Sequence, residues 1–187
     1  MQPTIDISIV VPMFNESGNI DQLVAEIEKS MQQIPLEYEL VLVDDGSDDN
    51  SWNEISSASE QNSKITGVKL SRNFGHQNAL LAGLKESKGR AIISMDGDMQ
   101  HPPSTLPELI MHWQQGKKIV QTKRCRQEHL GLFKTRTSAW FYKIFSWLSG
   151  VTIEEGSSDF RLIDTQVLEA LLKFIDVNPF LSGSVKW

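Results

Sequence analysis

Ile92-Ile93-Ser94-Met95-Asp96-Gly97-Asp98-Met99-Gln100 is an apolar run that stops abruptly in two carboxylates one residue apart. A strand covered on both faces reads as near-continuous Ile, Val and Leu. At the carboxyl end of such a strand an α/β sheet opens into the crevice where ligands bind. Asp96 and Asp98 offer hard oxygen ligands at that point, suited to a divalent cation that keeps positions for water and phosphate oxygens. This arrangement grips a nucleotide diphosphate. An isolated Asp-x-Asp reads more readily as a polar turn, because Asp and Gly are turn residues. The rest of the chain decides between the two.

Working outward, Ile7-Ser8-Ile9-Val10-Val11 and Leu40-Val41-Leu42-Val43 are runs of the same kind. They close in Pro12-Met13-Phe14-Asn15-Glu16 and in Asp44-Asp45-Gly46-Ser47. A weaker strand covers 65–70, and the run ending in Asp96 is the fourth, over 91–95. Ile20, Leu23, Val24, Ile27 and Met31 recur at helical spacing, with Asn19 as N-cap and Gln22 three residues on. A helix is expected over about 77–86. Leu106, Leu109, Ile110 and Trp113 mark another, started by Pro102-Pro103. Residues 118–122 read as one more strand. The spacing predicts helices over 137–148 and 165–174, with a Gly-, Ser- and Glu-rich loop at 150–159 between them. Strands alternating with helices imply an α/β sandwich around a mainly parallel sheet. At 187 residues and 40% hydrophobic content the chain fits one globular domain.

Three acidic motifs thus follow three predicted strands, and parallel strands deliver their carboxyl ends to one edge. Carboxylates gathered there repel unless a cation or ligand offsets them. The net charge of −6 argues against nucleic-acid binding. Charge is unevenly spread: residues 1–60 carry thirteen Asp or Glu and one basic residue, Lys29, whereas 117–143 carry eight Lys or Arg and one acid, Glu128. The basic stretch has aromatic company in Phe133, Trp140, Phe141 and Tyr142, which suits a phosphate site or a membrane surface as well as a solvated face. No G-x-x-x-x-G-K-[ST] and no G-x-G-x-x-G occurs, which counts against a P-loop enzyme and a dinucleotide dehydrogenase. The single cysteine, Cys125, excludes an internal disulfide and fits a reducing compartment.

The motifs together resemble family 2 glycosyltransferases of the GT-A fold, and within them the polyprenyl-phosphate branch typified by dolichol-phosphate mannose synthase and bactoprenol glucosyltransferases. They are Val10-Val11-Pro12-Met13-Phe14-Asn15-Glu16, Val43-Asp44-Asp45-Gly46-Ser47, Leu70-Ser71-Arg72-Asn73-Phe74-Gly75, Met95-Asp96-Gly97-Asp98-Met99-Gln100-His101-Pro102-Pro103 and Gly156-Ser157-Ser158-Asp159-Phe160-Arg161-Leu162. Phe14 stands where that branch often has Tyr, Gly97 where Ala is frequent and His101 where Asp is frequent. None of these departures removes a carboxylate, so they bear on donor choice.

The resemblance implies a Rossmann-like nucleotide-sugar-binding sandwich in which Pro12, Phe14, Glu16, Asp44 and Arg72 bind the donor nucleotide, joined by Asp96. Asp96, Asp98 and Gln100 would hold Mg2+ or Mn2+ on the donor diphosphate, with Asp98 also essential to catalysis. Arg124, Arg126, Lys134 and Arg136 would meet the acceptor phosphate, whose oxygens match guanidinium forks. Asp159 takes the place of the family's catalytic base. A phosphate monoester has its second pKa near 6, however, so the acceptor is mostly ionised already and Asp159 serves either as base or as a positioning group. His76 and His101 could also face the crevice. A single histidine is more often structural, and both are left outside the catalytic set.

The implied reaction is inverting transfer of a hexose, from a UDP-sugar by closeness to the bacterial branch, to a polyprenyl phosphate at the cytoplasmic face of the cell membrane. Residues 1–187 would form a single GT-A domain of a longer protein that continues into interfacial and transmembrane helices. No apolar run within the chain reaches the ~20 residues that span a bilayer, so the chain itself is expected to be soluble. Two rivals remain open. One is a family 2 transferase acting on a glycan or protein hydroxyl, which needs a true base near neutral pH. The other is a noncatalytic nucleotide-sugar-binding module.

Overall fold

The computed structural model describes residues 5–100, 102–123 and 157–174. In chain order the elements are β1 (Ile7–Met13), α1 (Ile20–Met31), β2 (Tyr38–Asp44), α2 (Ser51–Gln61), β3 (Ile65–Lys69), α3 (His76–Glu86) and β4 (Ala91–Ser94). A 3-10 turn at Pro103–Thr105 leads into α4 (Leu106–Gln114), then β5 (Ile119–Lys123), β6 (Ser157–Asp164) and α5 (Thr165–Phe174). One six-stranded sheet has the order β3-β2-β1-β4-β6-β5. The first four of these strands are parallel, and β6 runs antiparallel to both β4 and β5.

Side chains alternate across the sheet, so each strand feeds two cores. Ile7, Ile9, Val11 and Met13 of β1 pack with Leu40, Leu42, Ile93, Phe160 and Leu162 against α1 and α4. Val10, Val41, Val43, Ile92 and Ile163 face the other way, onto Ala79, Leu80 and Leu84 of α3 and Leu168 and Leu171 of α5. Helices on both faces explain why β1, β2 and β4 read as continuous apolar runs. Among the polar exceptions, Ser8 and Glu39 satisfy each other. The Ser8 hydroxyl donates to Glu39 at 2.6 Å, and the Lys88 N–H reaches the same carboxylate at 2.7 Å, tying the amino edge of β1 and β2 to the turn before β4. Asp164 of β6 ties α4, the last helix and the residue before β5 together, accepting from the Trp113 indole at 2.9 Å, Lys118 at 3.1 Å and the Gln166 N–H at 3.0 Å. Burial alone would raise its carboxyl pKa, but these bonds outweigh burial and hold it below the ordinary value.

Two elements depart from the sequence reading. Helix α2 was not foreseen, because Ser51-Trp52-Asn53-Glu54-Ile55-Ser56-Ser57 is polar and buries only Ser51 and Ile55; the crossover between parallel β2 and β3 places a helix there nonetheless. The loop expected to end at Asp159 gives way to β6 from Ser157, a strand that draws its register from β4 (Ile92↔Ile163, Ile93↔Leu162). Asn19 does precede α1, but its side chain makes no cap bond and its amide donates to Glu16 instead, at 2.9 Å. The expected helix at 137–148 lies outside the described residues, as does His101.

Candidate active site

The carboxyl ends of β1, β2 and β4 open into a cavity of about 310 Å³. Pro12, Phe14 and Glu16 line it from β1, Asp45 from β2, Asn73, Gly75 and His76 from the start of α3, and Asp96, Gly97 and Asp98 from β4. Three motifs separated in sequence by dozens of residues therefore share one crevice.

The loop after β1 is held open by the loop after β2. The Asn15 N–H donates to the Ser47 hydroxyl at 3.0 Å, Glu16 N–H to Ser51 at 2.9 Å and Ser17 N–H to Asp49 at 3.1 Å. Glu54, from the first turn of α2, accepts from the Ser17 hydroxyl at 2.6 Å and the Gly18 N–H at 2.9 Å. These bonds hold the Glu54 carboxyl below its ordinary pKa, the Ser17 hydroxyl having the largest effect, and a bond from Ser51 does the same for Asp49. The clasp fixes the backbone at Asn15, whose φ of 56° is left-handed, and so presents Phe14, 41% exposed, at the cavity mouth.

The adjacent aspartates of β2 part company. Asp44 is fully buried and is not among the residues that line the cavity; its Oδ1 accepts from the Ser47 N–H at 3.2 Å, and its Oδ2 has no hydrogen-bond partner. Asp45 lines the cavity and accepts the N–H groups of Phe74 and Gly75 at 2.8 and 2.9 Å, clamping the loop that starts α3. Arg72 is exposed outside the cavity wall, with its guanidinium 4.8 Å from the centre of the Phe74 ring.

Just past β4, Asp96 is half-buried and Asp98 exposed. Asp98 Oδ1 accepts the Gln100 N–H at 3.0 Å, closing a tight turn with Met99 at φ 59°. Gln100 stands exposed on that turn, off the cavity wall. His76 Nε2 lies 3.6 Å from Asp96 Oδ1. Asp159 belongs to β6, two residues before Arg161, which pairs with Ser94; because β6 is antiparallel, its backbone arrives at the edge to which β4 delivers Asp96. Arg124, Arg126, Lys134 and Arg136 lie outside the described residues. Sequence reasoning missed Asp45 and Glu54, and it left His76, which it allowed could face the crevice, outside the functional set. A signal existed for the last, since Arg72-Asn73-Phe74-Gly75-His76 links a strand to a helix on this same edge.

Residues 8–179 match the sequence model of Glycosyl transferase family 2. The chain belongs to that family. It is similar to YkcC, an uncharacterized glycosyltransferase of Bacillus subtilis, at 35% identity over 100% of this chain and 58% of the relative. It is also 35% identical to the bactoprenol glucosyl transferase of Shigella phage SfV, over 97% of this chain and 59% of that protein. The chain thus spans less than two thirds of the length of these relatives. Among solved structures, the glucosyl-3-phosphoglycerate synthase of Mycobacterium tuberculosis, in complex with Mn2+, UDP and phosphoglyceric acid, superposes with a TM-score of 0.65. It does so at 19% identity, over 89% of this chain and 58% of its own. The fold is that of the GT-A glycosyltransferases. Among the described residues no helix is long and apolar enough to cross a membrane.

Proposed function

We propose that this chain carries the donor site of an inverting, metal-dependent hexosyltransferase that uses a UDP-sugar and a polyprenyl phosphate at the cytoplasmic face of a membrane. The observation behind this reading is the shared crevice: Asp96 and Asp98 face Pro12, Phe14 and Glu16 across a single cavity at the carboxyl edge of the parallel strands. The lipid-phosphate acceptor is supported by the relative named a bactoprenol glucosyl transferase. The divalent ion is supported by the Mn2+ in the synthase of similar fold.

The residues present fit Mg2+ or Mn2+. Asp96, Asp98 and Gln100 form a donor set of hard oxygens. Among the described residues no three His, Cys, Asp or Glu gather as a complete metal cage; water and substrate phosphate would have to fill the positions such an ion has left. When bound, such an ion stabilises the negative charge that develops on the departing diphosphate. The protein's own groups do the rest. Pro12 and Phe14 flank the base, Glu16 takes its polar edge and the ribose, Asp44 joins it once its buried carboxylate is uncovered in the donor complex, and Arg72 closes over the outer side. Arg124, Arg126, Lys134 and Arg136 hold the acceptor phosphate. Its oxygen forms the new bond to the anomeric carbon as the bond to the diphosphate breaks, and the nucleoside diphosphate leaves with the electron pair. Inversion follows from attack on the opposite face. Asp159 aligns the acceptor, since a phosphate mostly ionised at neutral pH has no proton to give up.

A panel of nucleotide diphosphates and nucleotide sugars, scanned by thermal unfolding with and without Mn2+, tests the donor site. One base is expected to raise Tm only with metal, by an amount equivalent to ~2.7 kcal/mol at a hundredfold excess over Kd. No shift with any nucleotide would overturn the reading.

A further inference from the structure

The cavity contains an imidazole that the proposed chemistry leaves unused. His76, the first residue of α3, shares the wall with Asp96 and approaches it to 3.6 Å. Its placement is built rather than incidental. Asp45 spends both carboxylate oxygens on the N–H groups of Phe74 and Gly75, and Gly46 lies so close beneath that a Cβ there would stand 2.3 Å from the Arg72 carbonyl carbon. The motif at the end of β2 therefore sets the loop that carries His76 to a carboxylate on β4, with β1 lying between the two strands.

We propose that His76 is a positioning residue for Asp96: its Nε2–H engages Oδ1 and turns Oδ2 toward the cation of the donor complex. This rests on the reading of the crevice as a metal-dependent donor site. A carboxylate on a short side chain rotates through a broad, two-fold torsion, and a hydrogen-bond donor behind a ligating carboxylate removes that freedom. Loss of such partners costs ~10–100-fold in metal affinity. The 3.6 Å separation is longer than a formed hydrogen bond. The His76 side chain is 41% exposed and that of Asp96 27%, so both groups are open to the cavity they line, and bonds that are long in a free enzyme tighten in its substrate complex.

The test titrates Mn2+ by its electron paramagnetic resonance signal against wild type, His76→Ala and His76→Gln, each with saturating UDP and, in a parallel arm, GDP. His76→Gln keeps an N–H at the reach of Nε2. The expected result is a ~10–100-fold weaker Mn2+ affinity in His76→Ala, largely recovered in His76→Gln, with metal-free nucleotide affinity and Tm unchanged. Wild-type Mn2+ affinity in His76→Ala overturns the inference, and so does equal impairment of both variants. A wild-type chain that binds no Mn2+ with either nucleotide overturns the donor-site reading together with this inference, which separates the two failures.

Discussion

Gly46→Ala probes the joint between β2 and the loop that carries His76. Gly46 has φ +71°, and a Cβ built on it meets the Arg72 carbonyl carbon at 2.3 Å, Arg72 Cα at 2.6 Å and Asn73 N at 2.6 Å. All three atoms are backbone, so no side chain can swing aside. Ordinary contact begins at 3.4 Å, which obliges the 72–73 backbone to retreat by about 1 Å. The left-handed conformation costs an L-residue ~1–2 kcal/mol, and forcing atoms into an occupied space adds ~1–3 kcal/mol. The expected destabilisation is therefore about 2–5 kcal/mol. Gly18→Ala is the matched control, with φ +88° and nothing within 4 Å of the added carbon; it should cost only the conformational ~1–2 kcal/mol. Urea unfolding followed by tryptophan fluorescence measures both. Because the retreating loop pulls Phe74 and Gly75 from Asp45, turnover should also fall by on the order of 10²-fold, as misplacement by 1 Å does. If Gly46→Ala is no less stable than Gly18→Ala and turns over normally, the steric reasoning is wrong.

Three further outcomes are expected. Asp98→Asn should nearly abolish turnover and weaken metal-dependent nucleotide binding while leaving the unfolding transition unchanged; near-native rates with Mg2+ would contradict the metal role. Arg124→Ala and Arg126→Ala should raise the acceptor KM and leave the donor KM unchanged, and the opposite split in steady-state kinetics would move these residues to the donor. Glu54→Ala should destabilise the chain at neutral pH. The Glu54 pKa is depressed in the folded state, so its contribution is complete above the unfolded value and is lost as pH falls through the folded one. The gap from wild type in urea unfolding should close below the ordinary glutamate range, and a gap that persists in acid would assign the loss to packing.

The sequence is most legible where burial is uniform. β1, β2 and β4 lie between two helical layers, so Ile9-Val10-Val11, Leu40-Val41-Leu42 and Ile92-Ile93 announce themselves, and the polar residues that end them mark the crevice. α2 is hidden because Ile55 is its one fully buried apolar residue, with Trp52 and Ala58 half-buried against the core and polar residues elsewhere. β6 is hidden because its pairing with β4 joins residues about 70 apart, a long-range contact that no local pattern records. The same limit applies within the site. Asp44 and Asp45 are indistinguishable as neighbours in a motif, yet one is buried with an unpartnered oxygen and the other clamps a loop 29 residues away. His76 reads as an ordinary structural histidine until that clamp brings it beside Asp96.

The reaction proposed for this crevice is a metal-dependent, inverting transfer to a lipid phosphate. It is tested most directly by incubating the protein with Mn2+, the nucleotide sugar selected by thermal shift and a polyprenyl phosphate, then reading the anomeric configuration of the product by NMR. The expected product is a polyprenyl-phosphate sugar of inverted configuration that forms with Mn2+ and is absent in Asp98→Asn. A retained configuration, full activity after chelation, or transfer to a hydroxyl acceptor with none to the lipid phosphate would contradict it.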